Sequence, residues 1–237
     1  MRSIWRTLQQ SLDKGLARDI ALVCLADGVV GLSYGAISVG GGLDLWVPVL
    51  LSVVVFAGAS QFLFVGIVAA GGSPIAATIA GLLVNSRHVA FGLAVSDVIG
   101  AGWKRLPGSH LMTDENVAFA LGQDELKRKR AAYWICGIGI FICWNLGVLA
   151  GGQIGSVITD TDVFGLDAAF PAVLLALVLP SLRDKSTRTA AVAGVVVALA
   201  VTPFLPAGLP VLLALVGLVF YRTEQSPKKL PEAKVVV

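Results

Sequence analysis

Arg87 is the one basic residue inside an apolar stretch of this chain, where it stands in the run Asn85-Ser86-Arg87-His88. Placing an arginine at mid-bilayer costs about 2.5–3.5 kcal/mol on insertion scales, so such a residue calls for a reason. Flanked by Asn85 and Ser86, its guanidinium offers forked donors suited to a carboxylate. A helix broken at this point would add its positive N-terminal end to the same task. The structural alternative is a short tilted helix whose Arg87 snorkels to headgroups or pairs with an aspartate.

Five other polar residues in the apolar segments stand out as candidates. Asp27, within Ala26-Asp27-Gly28-Val29-Val30-Gly31, could take a coupling proton or a substrate ammonium, or simply partner Arg87. Ser60 and Gln61 sit among small residues in Phe56-Ala57-Gly58-Ala59-Ser60-Gln61-Phe62 and are candidates to line a path. His88 could shuttle protons, or serve as an ordinary hydrogen-bonding residue. Asn145 reads as a helix-to-helix hydrogen bond. Ser60 with His88 as base would suggest a hydrolase. However, no glycine follows Ser60 and nothing indicates an oxyanion hole, so the chain is not read as an enzyme. Thr113-Asp114-Glu115 has the form of a helix start, with a threonine cap and early acids.

These residues must be held by membrane-embedded helices. Of 237 residues 56% are hydrophobic and 14% charged, against about a quarter charged in soluble domains. The polar surface is too small to cover the chain, so lipid is the expected solvent. Apolar segments run roughly 20–40, 46–71, 75–100, 132–156, 165–182, 189–204 and 207–221, the third interrupted at 85–88 and the last two meeting in a proline-rich turn. The fold expected is all-α and polytopic, with about seven apolar segments, two of them broken or re-entrant.

Residues 1–19 read as a cytoplasmic or interfacial lead-in, with Ile4, Leu8, Leu12 and Leu16 recurring every four residues. They lack the continuous apolar core of a cleavable signal. Residues 20–222 are expected to form one transmembrane domain, of a kind suited to transport, and 223–237 a flexible cytoplasmic tail. Cys24, Cys136 and Cys143 lie in apolar stretches without ligand spacing, which argues against disulfides or zinc. No phosphate loop or metal motif occurs, so neither cofactor nor nucleic-acid partner is expected.

Seventeen of the 18 Lys and Arg fall before the first segment, in the 101–131 loop, between segments five and six, or in the tail. The positive-inside rule places these groups, and both termini, in the cytoplasm. One simple crossing by 75–100 would break that parity. A faint internal repeat relates 20–100 to 132–222: Gly42-Leu43-Asp44 parallels Gly165-Leu166-Asp167, and the broken 75–100 parallels the broken pair 189–221. If both are hairpins returning to the side they enter, the charge rule holds. Discontinuous helices meeting inside the membrane are how many secondary transporters build their sites.

The runs Phe56–Phe62 and Asn85–His88, Thr113-Asp114-Glu115 followed by Phe119-Ala120-Leu121, and Gly165-Leu166-Asp167 resemble the AzlC family over about residues 18–222. That is the large subunit of AzlC/AzlD (BrnF/BrnE-type) branched-chain amino-acid exporters. The resemblance implies efflux of leucine, isoleucine, valine and possibly methionine across the inner membrane. It further implies an ion or proton gradient as the energy source and a small AzlD/BrnE-type membrane subunit as partner. On this reading Arg87 and Asn85 meet the substrate carboxylate, Asp27 takes the ammonium or a proton, and Ser60 and Gln61 line the path. The rivals are a non-transporting scaffold subunit and a channel.

Overall fold

Twenty-seven helical residues open the described structure, a computed structural model that covers residues 13–157, 175, 179, 181–205 and 209–221. The lead-in pattern of residues 1–12, the fifth segment with its Gly165 repeat motif, and the tail beyond 221 lie outside these residues. Every regular element described is helical, as composition demands. The chain divides into two compact units, Met1–Leu174 and Leu175–Val237.

The first unit is organised on two long helices, α1 (Lys14–Gly40) and a later helix over Leu126–Val157. At 1.5 Å per residue they reach about 40 and 48 Å, enough to cross 30 Å of hydrocarbon. Between them come α2 (Trp46–Val54), α3 (Gly58–Ala69), α4 (Pro74–Asn85), α5 (Arg87–Ala94), α6 (Ser96–Ile99), a 3-10 turn (Gly102–Lys104), α7 (Arg105–His110) and α8 (Asp114–Leu121). The long Leu126–Val157 helix is α9. Asp13 caps α1 by accepting from the Leu16 N–H at 2.8 Å. That bond, with the Arg128 guanidinium beside it, holds the Asp13 carboxyl below its ordinary range.

Glycine fixes how α1 meets α9. Gly28, Gly31 and Gly35 face Cys143, Trp144 and Val148, while Gly147, Gly151 and Gly155 face Gly28, Leu32 and Ala36. A Cβ on Gly31 would lie 2.7 Å from the Trp144 carbonyl oxygen, and one on Gly155 2.6 Å from that of Ala36. Small residues on both faces let the backbones approach, the usual source of helix association where lipid removes the hydrophobic drive. The opposite faces are apolar and exposed, with Leu25 at 63% and Leu146 at 63%.

Asn145 of α9 makes the expected cross-helix bond. Ser52 of α2 donates to its Oδ1 at 2.6 Å, and its Nδ2 donates to the Phe141 carbonyl at 2.8 Å. Membrane hydrogen bonds of this kind contribute about 0.6 kcal/mol on average and at most about 1.7. Asn145→Leu is therefore expected to lower unfolding stability in detergent by about 1 kcal/mol, and Ser52→Ala in the same background to add little.

Two expectations about broken segments change. The stretch 75–100 is broken, into α4, α5 and α6, but it does not fold as a hairpin. Ser86 keeps helical dihedrals (φ −56, ψ −23), and α4 and α5 touch only at their junction. The hairpin instead joins α3 to α4, which pack along each other through the turn at 70–73. Gly71 supplies the left-handed residue there (φ 79), and Ser73 with Pro74 starts α4. Meanwhile the stretch 46–71, read as continuous, breaks at 55–57. Phe56 takes φ 43, the one described non-glycine residue with positive φ.

The 101–131 stretch, read as a loop between spans, is largely helical and packs on the core. Met112, Val117 and Ala120 are buried in one cluster with Val95, Val98 and Tyr133. The Thr113 cap forms as expected, as a capping box with Asn116.

The second unit contains a 3-10 turn (Ser181–Arg183), α10 (Lys185–Val201), α11 (Leu209–Leu213) and a 3-10 helix (Ala214–Phe220). Here the expected hairpin over 189–221 does form, with α10 against the 3-10 helix and Gly194 and Gly217 at the closest approach. Asp184 caps α10, and the Thr187 N–H and hydroxyl that donate to it hold its carboxyl below the usual range.

Candidate functional site

Both helix breaks of the first unit arrive at one place. Because α3 and α4 are antiparallel neighbours, the first turn of α3 lies beside the last turn of α4: a Cβ on Gly81 would sit 3.5 Å from the Ser60 Cβ. There a cavity of about 130 Å³ opens among α2, α3 and α4. Leu51, Val55, Phe64 and Leu82 give it apolar walls, and Ser60, Gln61, Thr78 and Asn85 its polar groups.

Gln61 is the distinctive member. Its residue is 1% exposed, and both its amide nitrogen and its amide oxygen are buried without a hydrogen-bond partner. An unsatisfied buried polar group costs about 1–3 kcal/mol, so two on one amide call for a reason. The Asn85 Oδ1 is also buried and unpartnered. Ser60 Oγ donates to the Ala57 carbonyl at 2.9 Å. Thr78 is likewise turned on its own helix, donating to Pro74 O at 2.8 Å.

The break is held from its far side by rings. Phe56 packs on His110 (6.1 Å) and Phe141 (5.0 Å), and His110 also packs on Phe141 (5.9 Å). A non-glycine residue at positive φ is uncommon and persists only where surroundings over-determine it. Ala57, the residue before α3, has no side chain able to cap it, so the helix begins uncapped. Behind it Trp144 lies against Gly58 and packs with Tyr34 and Phe62, its indole nitrogen buried and unpartnered.

The other sequence candidates lie elsewhere. Arg87, at the first position of α5, is ion-paired with Asp114 of α8, and both side chains are about 40% exposed (39% and 43%). His88 Nδ1 meets the Asn85 carbonyl at 3.0 Å. Asp27 sits on α1 with its Oδ2 buried and unpartnered, within electrostatic reach of Glu115 rather than of Arg87. The structure thus brings Ser60, Gln61 and Asn85 to one cavity and sets Arg87 and Asp27 apart from it. Sequence reading took Glu115 only as an early acid of a helix, not as a neighbour of Asp27, and missed His110 and the break at Phe56. Among the described residues, no cluster of three or more His, Cys, Asp or Glu could hold a metal.

Apolar helices broken around a small amide-lined cavity define a membrane protein that is all-helical among the described residues. The chain belongs to the AzlC family, whose profile, described as AzlC protein, matches residues 22–158, from α1 to the end of α9. It is 30% identical over 194 residues to an uncharacterized membrane protein of Archaeoglobus fulgidus, covering 79% of this chain and 83% of that one. A Helicobacter pylori membrane protein, also uncharacterized, is 27% identical over 173 residues (72% and 75%). The branched-chain amino acid transport protein AzlC of Bacillus subtilis is 23% identical over 168 residues (70% and 66%). No solved structure matches the chain.

Proposed function

We propose that this protein is a secondary transporter exporting branched-chain amino acids (leucine, isoleucine, valine and methionine) across the cytoplasmic membrane. The observation that carries the reading is the cavity at which two helix breaks meet, with amide groups left unpaired in an apolar surround. A site that presents unsatisfied amides beside aliphatic walls suits a solute with a polar head and an aliphatic chain. Ser60, Gln61 and Asn85 line it, and substrate discrimination by such walls is modest, about 1–3 kcal/mol per methylene. The relationship to a branched-chain amino acid transport protein supports the same substrate class.

Coupling is to the proton or ion gradient. Asp27, buried on a span near Glu115, is the candidate to carry the coupling proton, and His88 is a second. Arg87 holds α5 to α8 through Asp114. A small AzlD/BrnE-type membrane subunit completes the transporter, and the basic loops and both termini face the cytoplasm of a multi-pass protein.

Cells fed leucine-, isoleucine- and valine-containing dipeptides test the reading directly. Deleting the gene should raise internal levels of these amino acids severalfold, and restoring it with the small subunit should lower them. Unchanged levels would leave the protein a non-transporting scaffold. In proteoliposomes a transporter shows saturable counterflow of labelled leucine, whereas a channel shows none.

A further inference from the structure

The two helix ends at the cavity carry opposite partial charges. The chain enters α3 at Gly58 and leaves α4 at Asn85, so a positive N-terminal end and a negative C-terminal end lie side by side. Neither is neutralised by a charged side chain from its own helix, although at the α4 end Ser86 donates to the Leu83 carbonyl and His88 Nδ1 meets that of Asn85, which leaves the Asn85 Oδ1 as its free acceptor. The α3 start is uncapped, with no acid in its first turn, and α4 has no basic residue in its last. Each end also has its own unpaired amide group. Gln61, in the first turn of α3, has a free Nε2 donor, and Asn85, the last residue of α4, has a free Oδ1 acceptor.

We infer that this cavity is a receptor for the zwitterionic head of an α-amino acid, its carboxylate on Gln61 and the α3 N-terminus and its ammonium on Asn85 and the α4 C-terminus. The inference rests on the transport reading above and deepens it by assigning each polar end of the substrate. A zwitterion has no net charge, so the site needs no formal charge of its own, and dipole ends with neutral amides match it. That explains why Arg87, the sequence candidate for the carboxylate, is engaged by Asp114 instead. The aliphatic chain is left for Leu51, Val55, Phe64 and Leu82. The 130 Å³ available is close to the roughly 150 Å³ of an apolar cavity that accepts a six-carbon ring. A branched aliphatic chain fits that scale.

The test is binding to the purified full-length protein in nanodiscs, with L-leucine, 3-methylbutylamine (no carboxylate) and 4-methylpentanoate (no ammonium) as probes. Wild-type protein should bind L-leucine at least tenfold more tightly than either truncated probe. Gln61→Met, nearly isosteric without the donor, should weaken L-leucine at least tenfold and leave 3-methylbutylamine unchanged. Gln61→Glu should weaken L-leucine further through charge repulsion, whereas Asn85→Asp should retain it. Arg87→Gln should stay within twofold of wild type. A second readout separates ligand contact from a structural role. Replacing an unpaired buried amide by an apolar isostere removes a desolvation penalty, so Gln61→Met without ligand should melt at or above the wild-type temperature. L-leucine binding that persists in Gln61→Met and Gln61→Glu, or is lost only in Arg87→Gln, overturns the inference while leaving the transporter reading in place. A lower melting temperature for Gln61→Met without ligand overturns it equally. Wild-type protein that binds none of leucine, isoleucine or valine overturns both.

Discussion

Gly151→Ala should unfold this protein or cost it about 3 kcal/mol or more, the largest effect expected from a single methyl group among the described glycines. The added carbon on α9 would be driven into the Leu32 carbonyl of α1, and the atoms it meets are all backbone. Overpacking typically costs about 1–3 kcal/mol when side chains can move aside. Here nothing can rotate away, so the two helices must separate along their length and give up neighbouring contacts at Gly147 and Gly155 as well. Gly28→Ala is the control. Its Cβ would stand 3.3 Å from the Cys143 Cβ, a distance that a shift of a few tenths of an ångström relieves. Chemical or thermal unfolding in detergent, read with the monodispersity of the solubilised protein, should rank Gly151→Ala far below Gly28→Ala. Equal stability of the two would mean that α1 and α9 do not meet through these glycines.

Asn116→Ala is expected to follow closely, with a loss of about 2–4 kcal/mol. Asn116 is fully buried, and its amide is used on both sides. The oxygen accepts from the Thr113 N–H at 2.9 Å, while the nitrogen donates to the Leu111 carbonyl at 2.7 Å and, more weakly, to Tyr133 O at 3.5 Å. Truncation would leave a donor and at least one acceptor unpaired in the core, each worth about 1–3 kcal/mol. It would also loosen α8 from α9, and with it the loop that carries His110 to the Phe56 break. Asn116→Asp keeps the acceptor but abolishes the donor, so it should recover part of the cap and remain clearly less stable than wild type. Thr113→Ala, which removes the weaker 3.4 Å half of the box, should cost about 1 kcal/mol. Hydrogen exchange across residues 111–121 would report the order. Protection there that is the same in Asn116→Ala and wild type would contradict this account.

What the sequence revealed and what it concealed divide along physical lines. The Thr113 cap and the Asn145 bridge were legible because each is a local chemical need with few solutions: a cap needs an acceptor, and a polar group in oil needs a partner. Of the candidate site, Ser60, Gln61 and Asn85 were legible as polar residues among apolar ones. Their meeting was not, because it depends on which helices form the hairpin. The break at Phe56 has no local signature, since phenylalanine is no turn former. His110 and Phe141 impose it from 54 and 85 residues away in sequence. Asn85 to His88 was legible as a break, and α4 does end at Asn85; that Ser86 keeps helical dihedrals, so the chain runs on instead of turning back, was not. That Arg87 pairs with an aspartate was one of the two readings the sequence offered; which aspartate was not legible, because Asp114 stands in a stretch that hydropathy treats as a connecting loop.

The α3–α4 pair is short, 12 residues in each arm, or about 18 Å at the helical rise. That is little more than half of a 30 Å hydrocarbon layer. A voltage across the bilayer is therefore not spread evenly over this part of the molecule. On the transport reading proposed above, water following the substrate to the ends of the two arms would make the potential drop across the thin septum that remains. Any group shifting a few ångströms through that septum traverses a large electrical distance, so a modest rearrangement at the cavity is enough for the membrane voltage to act on it.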